Sequence, residues 1–341
     1  MIAGNASQGV WVRADHATLE DNRIGVKETP AGLAALPNSE GVLVDFGIDD
    51  ARIGGAGHGN VIAANGLDGV DLSGGQGHVV AANVIGAPGL ANGGNGIIVN
   101  STQTTIGGAA AGDANRVLSN RDNGVSINAD GDTVQGNRVG EGPGTGHGDA
   151  GISLFGNNNQ VLANVATNNG RAGIEVAGGT GNALVSNSTC ANTGLGIDLD
   201  PAGITANDRG DGDTGANKLV NFPVVDNATA NGGQTAITWQ IERGLPNTTF
   251  QVEFFSAAAC PAPPAVPAPV RNAEAPLGTV TVTTNANGNT TDANGNPGPV
   301  TTTVPFAVAP GQIVTATATQ VLSTSPLTLG STSELADCQL V

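Results

Sequence analysis

Glu175 and Asp198 hold the same position in two successive phrases of the chain, Gly173-Ile174-Glu175-Val176 and Gly196-Ile197-Asp198-Leu199. If such phrases are neighbouring parallel strands, their middle side chains lie about 5 Å apart. Carboxylates that close raise one pKa, share a cation, or serve retaining glycoside hydrolysis, whose two carboxyl groups stand about 5 to 5.5 Å apart. Asp71, in the middle of Gly69-Val70-Asp71-Leu72, is the third catalytic candidate. The repeats around Glu175 and Asp198 are short and carry no loop to close a cleft, so cation ligation or plain exposure fits that pair better than catalysis.

A second acidic group follows. Asp198, Asp200, Asp208, Asp211 and Asp213 lie in or just before Asn207-Asp-Arg-Gly-Asp-Gly-Asp-Thr-Gly215. Closely spaced carboxylates in a glycine-rich loop are the ingredients of a calcium site. The EF-hand spacing is not met, since helix signals and a Glu at the twelfth position are missing, and a solvated junction loop is the alternative. Trp11 is a candidate platform for a sugar ring, although the next residue of its column is Leu43. Cys260 and Cys338 are placed to pair in an oxidising compartment, with Cys190 left as a small buried hydrophobe. His16, His58, His78 and His147 are scattered, and a zinc motif, phosphate loop, dinucleotide fingerprint and serine elbow are all missing.

Repeats must position these residues. The glycine phrases begin at Gly9, Gly41, Gly69, Gly96, Gly124, Gly151, Gly173 and Gly196, at steps of 32, 28, 27, 28, 27, 22 and 23 residues. Such periods mark a solenoid. A second phrase is interleaved, as in Asn60-Val-Ile-Ala-Ala-Asn65, Asn115-Arg-Val-Leu-Ser-Asn120 and Thr133-Val-Gln-Gly-Asn137. Each repeat therefore holds at least two very short strands, and Gly and Asn recur too often for a helix. Strand alternation turns two apolar ladders, headed by Val10 and Val12, inward. The middle residues form an outward column of Trp11, Leu43, Asp71, Ile98, Ser126, Ser153, Glu175 and Asp198. Asn65, Asn83, Asn120, Asn137, Asn164 and Asn187 end the second phrase and read as stacked turn residues that tolerate left-handed backbone. Longer connections near 26–40, 86–95, 107–114 and 140–150 assign any groove to the first six coils.

With 29 acidic against 12 basic residues, a net charge of -17 argues against a nucleic-acid partner. Apolar residues make up 39%, mostly small and β-branched, with 3% aromatics and no Tyr, which suits a narrow core only. Nothing approaches a membrane span. The opening Met1-Ile-Ala-Gly-Asn5 lacks the features of a signal peptide and reads as the tail of a repeat phrase, so upstream coils are expected from a longer chain or another subunit.

The expected organisation is a solenoid of about eight coils over 1–200, an acidic junction with a candidate calcium loop over 201–224, and an Ig-like antiparallel sandwich over 225–341. Strand candidates in the last are 234–242, 248–256, 278–284, 302–308, 312–320 and 331–338, with an exposed polyproline-like insert at 260–269.

The alternation of Gly-Ile-x-Val with Asn-x-Val-x-x-Asn over residues 1–200 resembles the right-handed parallel β-helix (pectate-lyase-like) repeat family. That resemblance implies a fold shared by pectin- and alginate-active enzymes and by phage and cell-surface proteins, so it implies no single activity. The tail, from Gly196-Ile-Asp-Leu199 through Asn221-Phe-Pro-Val224 to Thr315-Ala-Thr-Ala318, looks like the region after such repeats in large secreted bacterial surface proteins, which implies an extracellular setting. Lyases of this fold use calcium-bound carboxylates with a basic residue, and its hydrolases use clustered aspartates; no position here matches either motif closely enough to take a role from it. The expected function is a structural or adhesive surface module assembling head-to-tail with itself through exposed strand edges. The alternatives are a lyase or hydrolase acting on an acidic polysaccharide, and glycan binding without turnover.

Overall fold

The computed structural model describes residues 1–258 and 271–341. The fold is all-β, a parallel β-solenoid followed by antiparallel sheets. It divides into two compact units, Met1–Glu175 with Ala191–Thr193, and Val176–Cys190 with Gly194–Val341.

In the first unit the chain winds through three parallel sheets. Gln8–Val12, Glu40–Val44, Val70–Leu72, Ile97–Val99, Val125–Ile127 and Ile152–Leu154, the glycine phrases, pair in sequence order to form the first. The interleaved phrase turns out to be two different strands. Arg52–Ile53, Val79–Val80, Thr105–Gly107, Thr133–Gln135 and Gln160–Leu162 belong to the second sheet. Val61–Ile62, Val84–Ile85, Arg116–Val117, Arg138–Val139 and Val165–Thr167 belong to the third. Strands of two or three residues carry too little alternation for the sequence to separate them. The connection after Gly25 carries a hairpin of its own, Val26–Thr29 against Gly32–Ala35.

The three sheets turn Val, Ile and Leu into one narrow core. Val42, Val70, Ile97, Ile53, Ile106, Ile24 and Ile85 are all buried, while Val10, at the head of its ladder, is half-buried. Glycine opens the repeat because coils meet there: a Cβ on Gly41 would lie 2.2 Å from the Gly69 carbonyl oxygen, and one on Gly69 would lie 2.6 Å from that of Gly96.

Buried asparagines tie coil to coil in two ladders. In one, Asn83 Oδ1 accepts from the backbone N–H and from Nδ2 of Asn60, both at 2.9 Å. Asn115 does the same for Asn83 at 3.0 and 3.1 Å, and Asn137 for Asn115 at 3.2 and 2.9 Å. The remaining Nδ2 hydrogen donates to a strand carbonyl, as from Asn115 to Val80 O at 2.7 Å. Asn38, Asn65, Asn92 and Asn120 form the other ladder. His147 then takes an asparagine's place: the Asn120 N–H donates to His147 Nδ1 at 3.1 Å, and the His147 N–H donates to Asn169 Oδ1 at 3.3 Å. The asparagines expected as one set are thus divided between two corners of the coil. Left-handed backbone falls instead on the small residue before the asparagine, Ala64, Ala82, Ser119 and Ala163, at φ of 60, 63, 54 and 53°. That residue makes the turn, and the asparagine side chain is free to fold inward.

The second unit pairs Val224–Asn231, Gln234–Gln240 and Val300–Val304 in one antiparallel sheet. A second sheet contains Ala275–Thr283, Thr249–Ala257, Ile313–Thr324 and Leu327–Thr332. Trp239 and Phe254 meet edge to face at 5.5 Å in its core, beside Ile237, Val252 and Ala316. The candidate strand at 331–338 begins earlier, at Leu327, and ends at Thr332. Val224–Asn231 is a strand that the sequence reading left out.

The same unit contains the last solenoid coil, with strands Ala183–Val185, Ser188–Cys190 and Ile197–Leu199, and covers its edge. Leu184 N–H donates to Thr332 Oγ1 at 2.8 Å, Ser186 N–H to Glu253 Oε2 at 2.8 Å, Gly196 N–H to Arg271 O at 2.8 Å and Leu199 N–H to Glu334 Oε1 at 3.3 Å. Strand donors that would otherwise be orphaned, each costing about 1–3 kcal/mol if buried unpaired, are satisfied within the unit.

Burial pushes the His147 imidazole down to about 4, against the opposing effect of its hydrogen bonds with Val117 and Asn120. A depressed value means that the folded protein resists a proton which the unfolded chain accepts, so this contribution to stability is complete above pH 6.5 and is lost as pH falls through about 4. His147→Asn supplies the same acceptor without the titration. Urea unfolding at pH 7 and pH 4 should show the free-energy difference between the two proteins moving by about 3 kcal/mol in favour of the variant at the lower pH. A difference that stays constant contradicts the assignment.

Candidate functional site

The outward column of the first sheet is in register, with Trp11 beside Leu43, Leu43 beside Asp71, Asp71 beside Ile98 and Ser126 beside Ser153. Its upper end is open. Trp11 is 50% exposed, the Arg13 guanidinium stands 4.6 Å from its ring centroid, and Arg13 pairs with Asp45 at 3.6 Å. Phe46 follows on the next coil, 82% exposed, its ring close over Gly74. The exposed indole and the cation over it offer ring surface for stacking and N–H donors for hydrogen bonds.

Further along, the column closes. Ser126, Ser153 and Glu175 are buried although they lie on the face expected to be outward. Glu175 pairs with Arg171 at 2.6 Å and accepts from Ser153 Oγ at 3.2 Å, so its carboxylate is held by a cation and a hydroxyl of its own unit.

Asp71 belongs to an acidic group that sequence reasoning missed. The residues directly before the repeat glycines are Gln8, Glu40, Asp68, Asn95 and Asn123. They make a polar ladder: Asp68 Oδ1 accepts from the Asn95 N–H at 2.5 Å and from Asn95 Nδ2 at 3.1 Å, and Asn95 Oδ1 accepts likewise from Asn123, at 3.2 Å each. Burial pushes Glu40 up to about 7, with the charges of Asp71 and Asp68 adding to it and a hydrogen bond with Gln8 opposing it. Asp68 and Asp71 are raised too, burial first, against hydrogen bonds from Asn95 and Ser73 respectively. Near neutral pH Glu40 is therefore partly protonated, which is the state a general acid needs. Glu40 and Asp68 each stand directly before a repeat glycine, where residue type alone gives no reason for burial. Among the described residues, no three His, Cys, Asp or Glu side chains converge to hold a metal ion.

The acidic segment lies in the second unit. Asp198 is buried and accepts from the Gly203 N–H at 3.0 Å, Asp200 is exposed and Asp213 half-buried. Asn221 knots the loop: its N–H donates to Asp211 Oδ1 at 2.9 Å, its Oδ1 accepts from the Asp208 N–H at 3.0 Å, and its Nδ2 donates to Asp208 O at 2.8 Å. Asp208 Oδ1 and Asp211 Oδ2 are buried without a hydrogen-bond partner. Burial, then the charges of Asp208 and Asp213, push Asp211 up to about 6. Cys190 is a half-buried free thiol. The expected pairing of Cys338 with Cys260, and the proline-rich insert, fall on residues outside the described ones.

No family model matches the chain, and no curated protein matches it. Among solved structures, tailspike protein 2 of the Escherichia coli O157:H7 bacteriophage CAB120 aligns with 96% of this chain at 10% identity and a TM-score of 0.23. The chain spans about half of that protein, 54% of its length.

A raised folded-state pKa means that ionising Glu40 costs stability above pH 7, whereas below its ordinary value of 4.5 the group is neutral in both states and the cost vanishes. Glu40→Gln should therefore raise the melting temperature at pH 8 and leave it unchanged at about pH 3, well below the unfolded value. An equal gain at both, or a loss at pH 8, would show that Glu40 is not held in this way.

Proposed function

We propose that the chain is an extracellular or cell-surface β-solenoid module, structural and adhesive in role, whose open first-sheet face binds polysaccharide without turnover. Trp11 carries this reading: a half-exposed indole stacked by Arg13 heads an in-register column, with the exposed Phe46 and the acidic group of Glu40, Asp68 and Asp71 on the adjoining coils. The acidic residues favour a neutral or basic sugar on this face over a uronate. Affinity electrophoresis against a panel of immobilised polysaccharides should identify a retarding ligand, with Trp11→Ala weakening retardation about tenfold, the loss of one stacking contact of about 1–1.5 kcal/mol. Unchanged retardation by the variant removes the proposed face.

Glu40 supports a second reading, glycoside hydrolysis with Glu40 as general acid and Asp71 as its partner carboxyl, because burial and the neighbouring Asp71 push Glu40 up to about 7. Reducing ends released by the parent protein and not by Glu40→Gln would favour it over binding alone. Head-to-tail assembly is not part of the proposal, since backbone donors of the last coil are already bonded to Thr332, Glu253 and Glu334. No helix among the described residues is long and apolar enough to cross a membrane.

The reading includes a structural calcium ion at the junction. Asp208 and Asp211 suit it, each with a buried carboxylate oxygen that lacks a hydrogen-bond partner, and hard oxygen donors are what calcium takes. Together with main-chain oxygens these two carboxylates would hold the ion, which would neutralise like charges on one loop. EDTA should lower the melting temperature by about 4 °C or more, and Asp211→Asn should abolish the response. A melting curve indifferent to EDTA and calcium refutes the site.

A further inference from the structure

The second unit carries a cleft of about 750 Å³ that none of the preceding chemistry uses. It is lined by Arg209, Gln240, Glu242, Arg243, Asn287 and Asn289. Both arginines are exposed, and neither enters an ion pair among the described residues, in a chain that has 29 acidic and only 12 basic side chains. Of the ten arginines, Arg13, Arg23, Arg138, Arg171 and Arg271 pair with a carboxylate. Two unpaired ones lining a single concavity stand apart.

Their backbones are fixed to one another. The Gly210 N–H donates to Arg243 O at 2.5 Å, and Asn221 Nδ2 reaches that same carbonyl at 3.4 Å while also bonding Asp208 O. Arg243 has left-handed backbone, at φ 57°, and its N–H donates to Asn289 Oδ1 at 2.9 Å. The Gly244 N–H donates to Gly288 O at 3.0 Å, and a Cβ on Gly288 would lie 1.8 Å from the Gly244 oxygen, so the two turns that form the walls are in direct backbone contact. The cleft is therefore preformed, and binding would order only the side-chain tips, which lowers its entropic cost.

We propose that this cleft binds a carboxylate-bearing saccharide, with Arg209 and Arg243 taking the carboxylate. Two guanidinium forks rooted on bonded backbone match a planar carboxylate, to which each can present paired N–H donors. The amides of Gln240, Asn287 and Asn289 and the Glu242 carboxylate offer both donors and acceptors to ring hydroxyls, and Pro246 and Pro297 add apolar surface for a sugar C–H face. Glu242 also repels a bare anion, so the site selects an acid that carries hydroxyls for it to accept from. A volume of about 750 Å³ lies within the ordinary range for small-ligand pockets and takes one or two sugar rings. The cleft belongs to the second unit and the proposed Trp11 face to the first, and the proposal does not depend on that face.

Isothermal titration with trigalacturonate, a neutral galactose trimer and a sulfated galactose trimer tests the proposal on the intact chain. Trigalacturonate should bind, with affinity falling as salt rises, and the neutral trimer should not. Arg243→Gln and Arg209→Gln should each weaken binding at least tenfold, and the double variant should abolish it. Trp11→Ala should leave it unchanged, which separates this site from the solenoid face. Both arginines are exposed, so melting curves of the variants should match the parent. No binding of trigalacturonate at millimolar concentration, equal binding of the neutral trimer, binding of the sulfated trimer alone, or full affinity in the double variant overturns the proposal.

Discussion

The solenoid depends on one constraint, that every backbone amide at its corners must find a partner. A coil of two- and three-residue strands has more corner than strand, and at each corner the chain turns away from the ladder that would have bonded it. Stacked asparagines supply the missing partner. Asn115 accepts twice from the coil before it through one oxygen and donates one Nδ2 hydrogen to Val80 O and the other to Oδ1 of Asn137. Each bond contributes about 1 kcal/mol, yet removing one asparagine strands several buried groups at once. His147 is informative because it keeps the acceptor and gives up the amide. It accepts from Asn120 as an asparagine would, but only while neutral.

Where stacking ends, the same requirement is met by other residue types. In the second unit Thr332, Glu253, Arg271 and Glu334 bond the N–H groups of the last coil. Glu334 is pushed up to about 7, burial outweighing its hydrogen bonds from Leu199 and Thr205 and the nearby Arg271. Arg271, stacked 4.2 Å over the Phe222 ring and bonded to Asp337, is itself buried. A buried ionic network is weak evidence of stability, and what it does here is bond the N–H groups at the edge of the last coil.

The solenoid was legible because Gly and Asn recur at a period that only close coil contact requires. The inward ladder was equally plain, from Val42 to Ile152, because burial there tolerates little but β-branched and leucine side chains. Splitting the interleaved phrase into two sheets was not, since Val79-Val80 and Val61-Ile62 are both β-branched pairs and differ mainly in which corner follows. The site was half legible. Trp11 and Asp71 stood out by residue type, whereas Glu40 and Asp68 were hidden as the residues before a glycine, where sequence shows no reason for burial. The Arg209 and Arg243 cleft joins segments more than thirty residues apart through Asn221, and no local pattern announces it.

Native-state hydrogen exchange tests the asparagine account most directly. If the ladders hold the coils, the backbone amides of Asn60, Asn83, Asn115 and Asn137 exchange only through global opening, with the same free energy as the strand amides of Val84 and Val139. Ladder amides that exchange by local fraying, several kcal/mol below those strands, would show that side-chain packing alone holds the solenoid and that the asparagines merely decorate its turns.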